Sequence, residues 1–540
     1  MKRSFIKFAL LVSVLPVSSI AQSVAPLNSG YDSTPVQGLT INGAQAVQQQ
    51  NVQPQPQARQ KLLVPQSLQP QVQQQVPQPV DISPQMVSPL KILNPGQQRS
   101  EELFKKEFSN SASKGMKMES LLSDAYSKNP SISSAREGLK SVDEQVFQAY
   151  SGFLPKADLR YTKERSETTP VGAATEGTFY TDNKSFNVTQ GIFGGGETYY
   201  AVQAAESKIL AARSELKGAE QKFMLEAIDA YISYIFTQKV LKLAENNQAV
   251  LEEQLKASKE RFVVGDATKT DVAQSEARLA NANSSRVISE GDFVAARSNF
   301  KRIYAVDAPE SLPMPSSLPD IPADLDAALK LAMQNNPDVN QLKYLVESRD
   351  SEIDVQQSQL YPQVDVTGSI AESETPTSGG VFDNDSQNVS LNVTVPIYNA
   401  GVTYSRTRSA RDSRNQTKQQ YNETLNSVKS SVIQAWQKIL TTQSNVEATK
   451  SSLVASEFAL QGVKEEQKEG ARTILDVLDA EQERFSAEIN HARAIKDSVI
   501  AIYSLKSTVG ELTPSQLGLS VTEYDPKVHY NNTRFKLIGL

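Results

Sequence analysis

Two hydrophobic periods alternate along this chain. Ala157, Leu159 and Tyr161 alternate with Asp158, Arg160 and Thr162, and Val389, Leu391, Val393, Val395 and Ile397 alternate with Ser390, Asn392 and Thr394. A period of two predicts strands with one apolar face. Val364, Val366 and Ile370 against Asp365, Thr367 and Ser369 repeat the pattern, and Phe186, Val188 and Ile192 follow it less regularly. Between the paired strands, residues 164–184 and 372–387 are polar and rich in Gly, Thr, Ser and Asp, which predicts exposed hairpin loops. After each second strand the period changes. Proline is absent over 171–308 and 397–513 while Ala, Glu, Lys, Gln and Leu accumulate, the composition of long helices. A continuous helix from 197 to 264 would extend roughly 100 Å, too long to fold back into a compact domain. The interruptions Val263-Val264-Gly265-Asp266-Ala267 and Lys468-Glu469-Gly470-Ala471 predict turns. Thr268-x-x-Asp271 and Thr473-x-x-Asp476 then start the returning helices as capping-box-like signals.

These elements occur twice. Asn129-Pro130 matches Asn336-Pro337 and Leu154-Pro155 matches Tyr361-Pro362, and Leu122 and Ala125 meet Leu329 and Ala332 at the same offset. Further on, Ile192-Phe193 aligns with Ile397-Tyr398, Gly196 with Gly401, Thr198-Tyr199 with Thr403-Tyr404, and Gly265 with Gly470. From Ile192 to Asp271 each residue therefore has an equal-length counterpart, as expected of two elements that reach the same height. The repeats are placed at 116–308 and 324–522, with a proline-rich linker at 309–323 and a C-terminal tail at 523–540.

The N-terminus adds a compartment. Lys2, Arg3 and Lys7 accompany an apolar run at 8–17, followed by small Ser19 and Ala21, so residues 1–21 are expected to be a signal peptide. Residues 22–115 are dominated by Gln, Pro, Val and Ser, without the apolar periodicity that would offset the entropy of ordering, and are expected to be a disordered extension. No later segment reaches transmembrane-helix length without charges, so a mature chain that crosses a membrane must do so as strands. The formal charge of −6, more negative once the signal is removed, does not suggest nucleic acid as a partner. The absence of cysteine excludes disulfides, thiolate metal sites and a lipid-modified N-terminal cysteine. Only His491 and His529 are present; both are expected to be ordinary surface histidines, and neither belongs to a metal or catalytic pattern. With no phosphate loop, catalytic triad or cofactor fingerprint, an enzyme is disfavoured and no cofactor is expected.

Four strands with one apolar and one polar face cannot enclose water alone, since small closed barrels need about eight strands. The chain must borrow strands from copies of itself; three copies give twelve, and symmetry also permits other small rings. A soluble β-sandwich would alternate in the same way, but the export signal, the even strand count and the long helices favour a lipid-embedded barrel. A secreted coiled-coil structural protein would explain the helices and not the paired strands.

The motifs, taken in order, resemble the outer-membrane efflux protein (TolC) family over about residues 118–521. They are Asn-Pro in the first helix, Leu-Pro or Tyr-Pro before the first strand, Ile192-Phe193-Gly194-Gly195-Gly196 and Pro396-Ile397-Tyr398-Asn399-Ala400-Gly401 after the second, Arg261-Phe262-Val263-Val264-Gly265 before the first tip, and Ala471-Arg472-Thr473-Ile474-Leu475-Asp476-Val477-Leu478-Asp479-Ala480 after the second. The resemblance implies a mainly α protein with a transmembrane β-barrel: two internal repeats, four strands per chain in a trimeric twelve-stranded barrel, and a long periplasmic α-helical barrel beneath it. It implies a channel in the outer membrane of a Gram-negative bacterium, extending into the periplasm. The expected partners are two further copies, outer-membrane lipid, a periplasmic adaptor and an inner-membrane transporter, and the exported cargo is protein or small molecule. By the same resemblance Asp476 and Asp479 line the periplasmic entrance as carboxylate rings. Arg472 with Thr270 and Asp271 forms a latch between neighbouring coiled coils. The tips Val264-Gly265-Asp266 and Glu469-Gly470-Ala471 dock the adaptor. Two departures bear on these roles: Gln467 stands where the family has a tyrosine in its closing network, and Glu469 replaces the usual valine.

Overall fold

A computed structural model describes residues 117–168, 177–315, 318–377, 380–534 and 536; the expected signal peptide and Gln/Pro-rich extension lie outside them. The first repeat runs α1 (Met118–Lys128), α2 (Pro130–Tyr150), β1 (Lys156–Thr168), β2 (Gly177–Gly194), α3 (Glu197–Val263) and α4 (Lys269–Tyr304). The second runs α5 (Leu325–Asn335), α6 (Pro337–Ser358), β3 (Gln363–Thr377), β4 (Gly380–Thr394), α7 (Val402–Lys468) and α8 (Ile474–Thr508), and α9 (Pro526–Thr533) follows. The long helices α3 and α7 both have 67 residues, as the constant offset between the repeats requires. Among the described residues no helix is long and apolar enough to cross a membrane.

The Asn-Pro pairs that align the repeats also brace them. Proline occupies the first helical position, where its missing N–H costs nothing, and the Asn side chain accepts from Ser131 N in α2 and from Asp338 N and Val339 N in α6. The same amides donate across the fold, Asn129 Nδ2 to Ile303 O (3.0 Å) and Asn336 Nδ2 to Thr508 O (2.9 Å). Each helix start is thus tied to a terminal carbonyl of the returning helix of its own repeat.

The four strands form one antiparallel sheet in the order β1-β2-β3-β4, so β2 and β3 join the repeats while β1 and β4 are its edges. Pairing sets Leu159, Phe186 and Ile370 in one row and Ala157, Val188, Gly368 and Val389 in the next. The opposite face carries Asp158, Asn187, Ser369 and Asn388. Leu159 and Val389 are 76 % and 71 % exposed, so none of the described residues covers the apolar face. That face turns charged one row beyond Leu159, where Tyr161, Lys184, Glu372 and Asp385 align. Here the sequence-based expectation fails in part: most of 164–184 and 372–387 is strand, not loop, since β1 reaches Thr168 and β3 reaches Thr377. Backbone ladders do not require an apolar face, and Lys184 with Glu372 and Glu374 (3.8 and 3.6 Å) and Lys163 with Asp182 (3.3 Å) are cross-strand pairs that suit a ladder standing in water.

The main core lies midway down the helices, where α1, α5 and the proline-rich linker wrap the bundle around Tyr231, Tyr234, Phe300 and Tyr503. Buried hydroxyls must find acceptors: Tyr234 Oη donates to Pro309 O (2.7 Å) and Tyr304 Oη to Ala227 O (2.7 Å). Neither histidine is an ordinary surface residue. His491 is buried on the face of α8 that packs against α7, with Nδ1 3.2 Å from Thr449 Oγ1. His529, on α9, meets the buried carboxylate of Asp143. Helical packing buries His491 and the docking of α9 partly covers His529, and isolated positions in a sequence do not reveal either.

Candidate functional site

The candidate site is the pair of helical hairpin tips. Each long helix ends in a Schellman motif: Gly265 N donates to Phe262 O and Asp266 N to Arg261 O, and Gly470 N donates to Gln467 O and Ala471 N to Glu466 O. The motif needs a left-handed residue, and Gly265 (φ 84°) and Gly470 (φ 77°) supply it. An added Cβ would meet no atom within 4 Å at either, so conformation alone calls for glycine.

The returning helices start with complete capping boxes. Asp271 Oδ2 accepts from Thr268 N and Oγ1, both at 2.8 Å, and Asp476 Oδ2 accepts likewise from Thr473. Hydrogen bonds to the charged form stabilise it, and the backbone N–H bonds of Thr268 and Thr473 hold the two carboxyls below the usual carboxylate range. Asp476 therefore caps α8. Asp479, past the first turn, does not cap; it forms an ion pair with Arg278 of α4. Ile474 and Leu478 of α8 pack on Leu251 of α3 and Ala282 of α4, which seats the second tip against the first and brings Arg278 to Asp479.

The expected latch residues do not meet within one chain. Arg472 Nε donates to Glu466 Oε2 (2.8 Å), spanning its own turn, and that hydrogen bond raises its pKa further. Asp271 is engaged by Thr268, Thr270 is exposed, and among the described residues no ion pair joins Arg472 to Asp271. The residues expected to dock an adaptor are exposed: Val264 is 78 % exposed and Asp266, Glu469, Gly470 and Ala471 are also exposed. The tips differ chemically. The first shows apolar Phe262, Val263 and Val264, whereas the second shows Glu465, Glu466, Lys468 and Glu469.

Arg278 and Glu466 were not legible as site residues. Arg278 lies on the other repeat from its partner, and the aligned position in repeat 2 is Glu483, so repeat comparison gives no signal. Glu466 and Arg472 lie six apart, a separation that acquires meaning only once Gly470 reverses the chain.

Comparison with known proteins agrees with this architecture. Residues 121–304 and 328–511 each match the family described as "Outer membrane efflux protein". The chain is 29 % identical to "Outer membrane efflux protein BepC" of Brucella suis over 77 % of its length and 90 % of the relative's. It is 25 % identical to "Outer membrane protein TolC" of Escherichia coli, over 72 % and 81 %. Among solved structures, CusC superposes with a TM-score of 0.63 at 15 % identity over 74 % of this chain and 95 % of that one. The Campylobacter jejuni CmeC outer membrane channel superposes with a TM-score of 0.63 at 16 % identity, over 77 % and 89 %. Two family matches in tandem, covering both repeats from the first short helix to the end of the return, show that this chain belongs to the outer membrane efflux protein family and is an outer-membrane channel extending into the periplasm.

Proposed function

We propose that three copies of the chain close a twelve-stranded barrel over a helical tube, and that the tube docks through its tips to a periplasmic adaptor and an inner-membrane transporter to export cargo. The observation that carries this reading is a sheet with two unpaired edges, β1 and β4, and an uncovered apolar face. Hydrocarbon tolerates no unpaired strand edge, and joining β4 of one copy to β1 of the next removes all edges. The helices offer matching seams: Val287 and Val294 on α4, and Ile433, Leu440 and Val454 on α7, are exposed in the single chain at multiples of seven residues, the spacing of a coiled-coil seam.

At the entrance, Asp476 and Asp479 supply negative potential in triplicate, favouring cations, with Arg278 offsetting part of it. Arg472 exchanges Glu466 for Thr270 or Asp271 of a neighbour when the tube closes, and Gln467 leaves this link without the family's tyrosine. The first tip supplies an apolar adaptor contact through Val264-Gly265-Asp266, and the second a charged one through Glu469-Gly470-Ala471. Relatives bear names for efflux and for protease secretion; the cargo here is set by the transporter that the duct serves.

The natural chain lacks cysteine, which gives a clean test. One cysteine in β1 and one in β4 should yield oxidised ladders that end at a trimer in outer-membrane fractions. Ladders ending at a dimer, or no crosslink at any register tried, would refute the closed barrel.

A further inference from the structure

After Leu519, which belongs to the main core, the chain climbs along α2 and α3 towards the barrel as a strap. Its contacts are regularly placed. Tyr524 lies against the Arg136 guanidinium (5.2 Å to the ring centre), and Tyr530 against that of Arg213 (5.4 Å). Arg534 donates to Tyr150 Oη (3.4 Å), at the end of the helix that leads into β1. Between these, α9 lays His529 over Asp143, with Nδ1 3.2 Å from Oδ2, while Nε2 stands 3.9 Å from Glu144. The Asp143 side chain is fully buried. Among the described residues its Oδ1 has no hydrogen-bond partner, and neither has the buried Nε of nearby Arg213. A carboxylate beneath the strap is thus held by one hydrogen bond, to an imidazole that can carry the proton.

We propose that the C-terminal strap is fastened by a proton: α9 docks on α2 when Asp143 and His529 share one, and it loosens as the pH rises. An ionised carboxylate buried with a single hydrogen bond is costly, and that cost disappears when the pair holds one proton. Burial keeps the Asp143 carboxyl above its usual range, outweighing the opposing influence of His529 and Arg213. When the strap lifts, the carboxyl meets water and regains its ordinary value, so docking takes up a proton. The sign follows from linkage: a group whose pKa is raised on docking favours the docked state below its ordinary pKa, and this advantage is lost as pH rises through the raised value. The other charged and titratable groups around the pair are Arg136, Glu137, Lys140 and Glu144 on α2, Glu206 and Arg213 on α3, and Tyr524, Tyr530 and Arg534 on the strap. None of the carboxylates among them is buried as Asp143 is. The strap touches α2, which enters β1, and α3, which leaves β2, so its grip bears on the base of the barrel.

Because the chain has no cysteine, exposed Asn531→Cys allows a single spin label on α9 in the full-length protein purified from outer membranes. The mobile fraction should rise several-fold from about pH 3.5, below the ordinary carboxyl value, to about pH 7.5, above the raised one. Asp143→Asn removes the charge but keeps the shape, and should hold the strap docked at both pH values. His529→Gln should reduce the response, and Glu144→Gln should leave it intact. A label whose mobility is flat with pH in the otherwise natural chain, or an unchanged response in both Asp143→Asn and His529→Gln, would overturn the proposal.

Discussion

The two long helices are the same object in two settings. α3 and α7 have the same length, follow glycines in the left-handed region and end in the same Schellman turn, yet α3 buries far more of its surface. The contrast is sharpest at equivalent positions. Ile228 of α3 is fully buried while its counterpart Ile433 of α7 is 43 % exposed, and Ile235 is buried while Leu440 is half-open. In each case an apolar residue is kept and its covering is absent. α3 is wrapped by α2, α4, α6 and α8, whereas α7 has a flank that none of the described residues covers. The repeat therefore preserves an apolar stripe in two settings, one covered within the chain and one that, in the proposed trimer, meets a neighbouring copy.

The largest effect should separate these settings. Ile228→Ala should cost about 2–5 kcal/mol of protomer stability, as large-to-small changes in packed cores do, and should lower the yield of folded protein in membranes. Ile433→Asp should spare the helicity of the chain and abolish the heat-resistant trimer on gels. Equal loss of helicity in both variants would show that the flank of α7 is not a seam.

A second contrast lies where strand turns into helix. Gly195 approaches the end of α6 so closely that a Cβ would come within 2.4 Å of Ser358 O. The aligned residue in repeat 2 is Ala400, which holds φ 54°, a conformation costing an L-residue roughly 1–2 kcal/mol. Gly195→Ala should lower the melting temperature by several degrees, while Ala400→Gly should leave it unchanged or raise it slightly. A parallel response to the two substitutions would remove this asymmetry.

The tips should respond more weakly, and alike. Because Asp271 and Asp476 have depressed pKa values, the stability they lend the caps is fully present above the ordinary carboxylate range and is lost as pH falls through the depressed values. Thr268→Ala and Thr473→Ala should each speed amide exchange in the first turn of α4 or α8 several-fold and flatten its acid dependence. The smallest change concerns Arg278→Ala: the lost surface pair is worth at most about 1 kcal/mol, so the fold should survive. Freeing Asp479 should modestly raise cation preference in planar-bilayer recordings. Unaltered selectivity would separate Asp479 from the permeation path.

Much of this was legible in advance for a definable reason. Strand faces, helix lengths, tip glycines and capping boxes all depend on residues close in sequence, and a duplicated chain states each of them twice. The polar continuation of the strands carries no apolar alternation to reveal it, because Lys163 with Asp182 and Lys184 with Glu372 pair across strands where neither face is apolar. The surroundings of His491 and His529 do not show in the sequence because burial depends on what packs against a helix. The tip ion pair between Arg278 and Asp479 was invisible because its partners come from different repeats.

By itself the sequence determined the period of each element and the equal height of the two hairpins, since these follow from local sterics, backbone hydrogen bonding and residue counts. Only the tertiary structure decided which of two aligned apolar residues is covered, that Asp479 pairs with Arg278, and that α9 closes over Asp143. Those outcomes depend on distances between segments hundreds of residues apart, and the same side chain becomes core, seam or site according to what the packing places beside it.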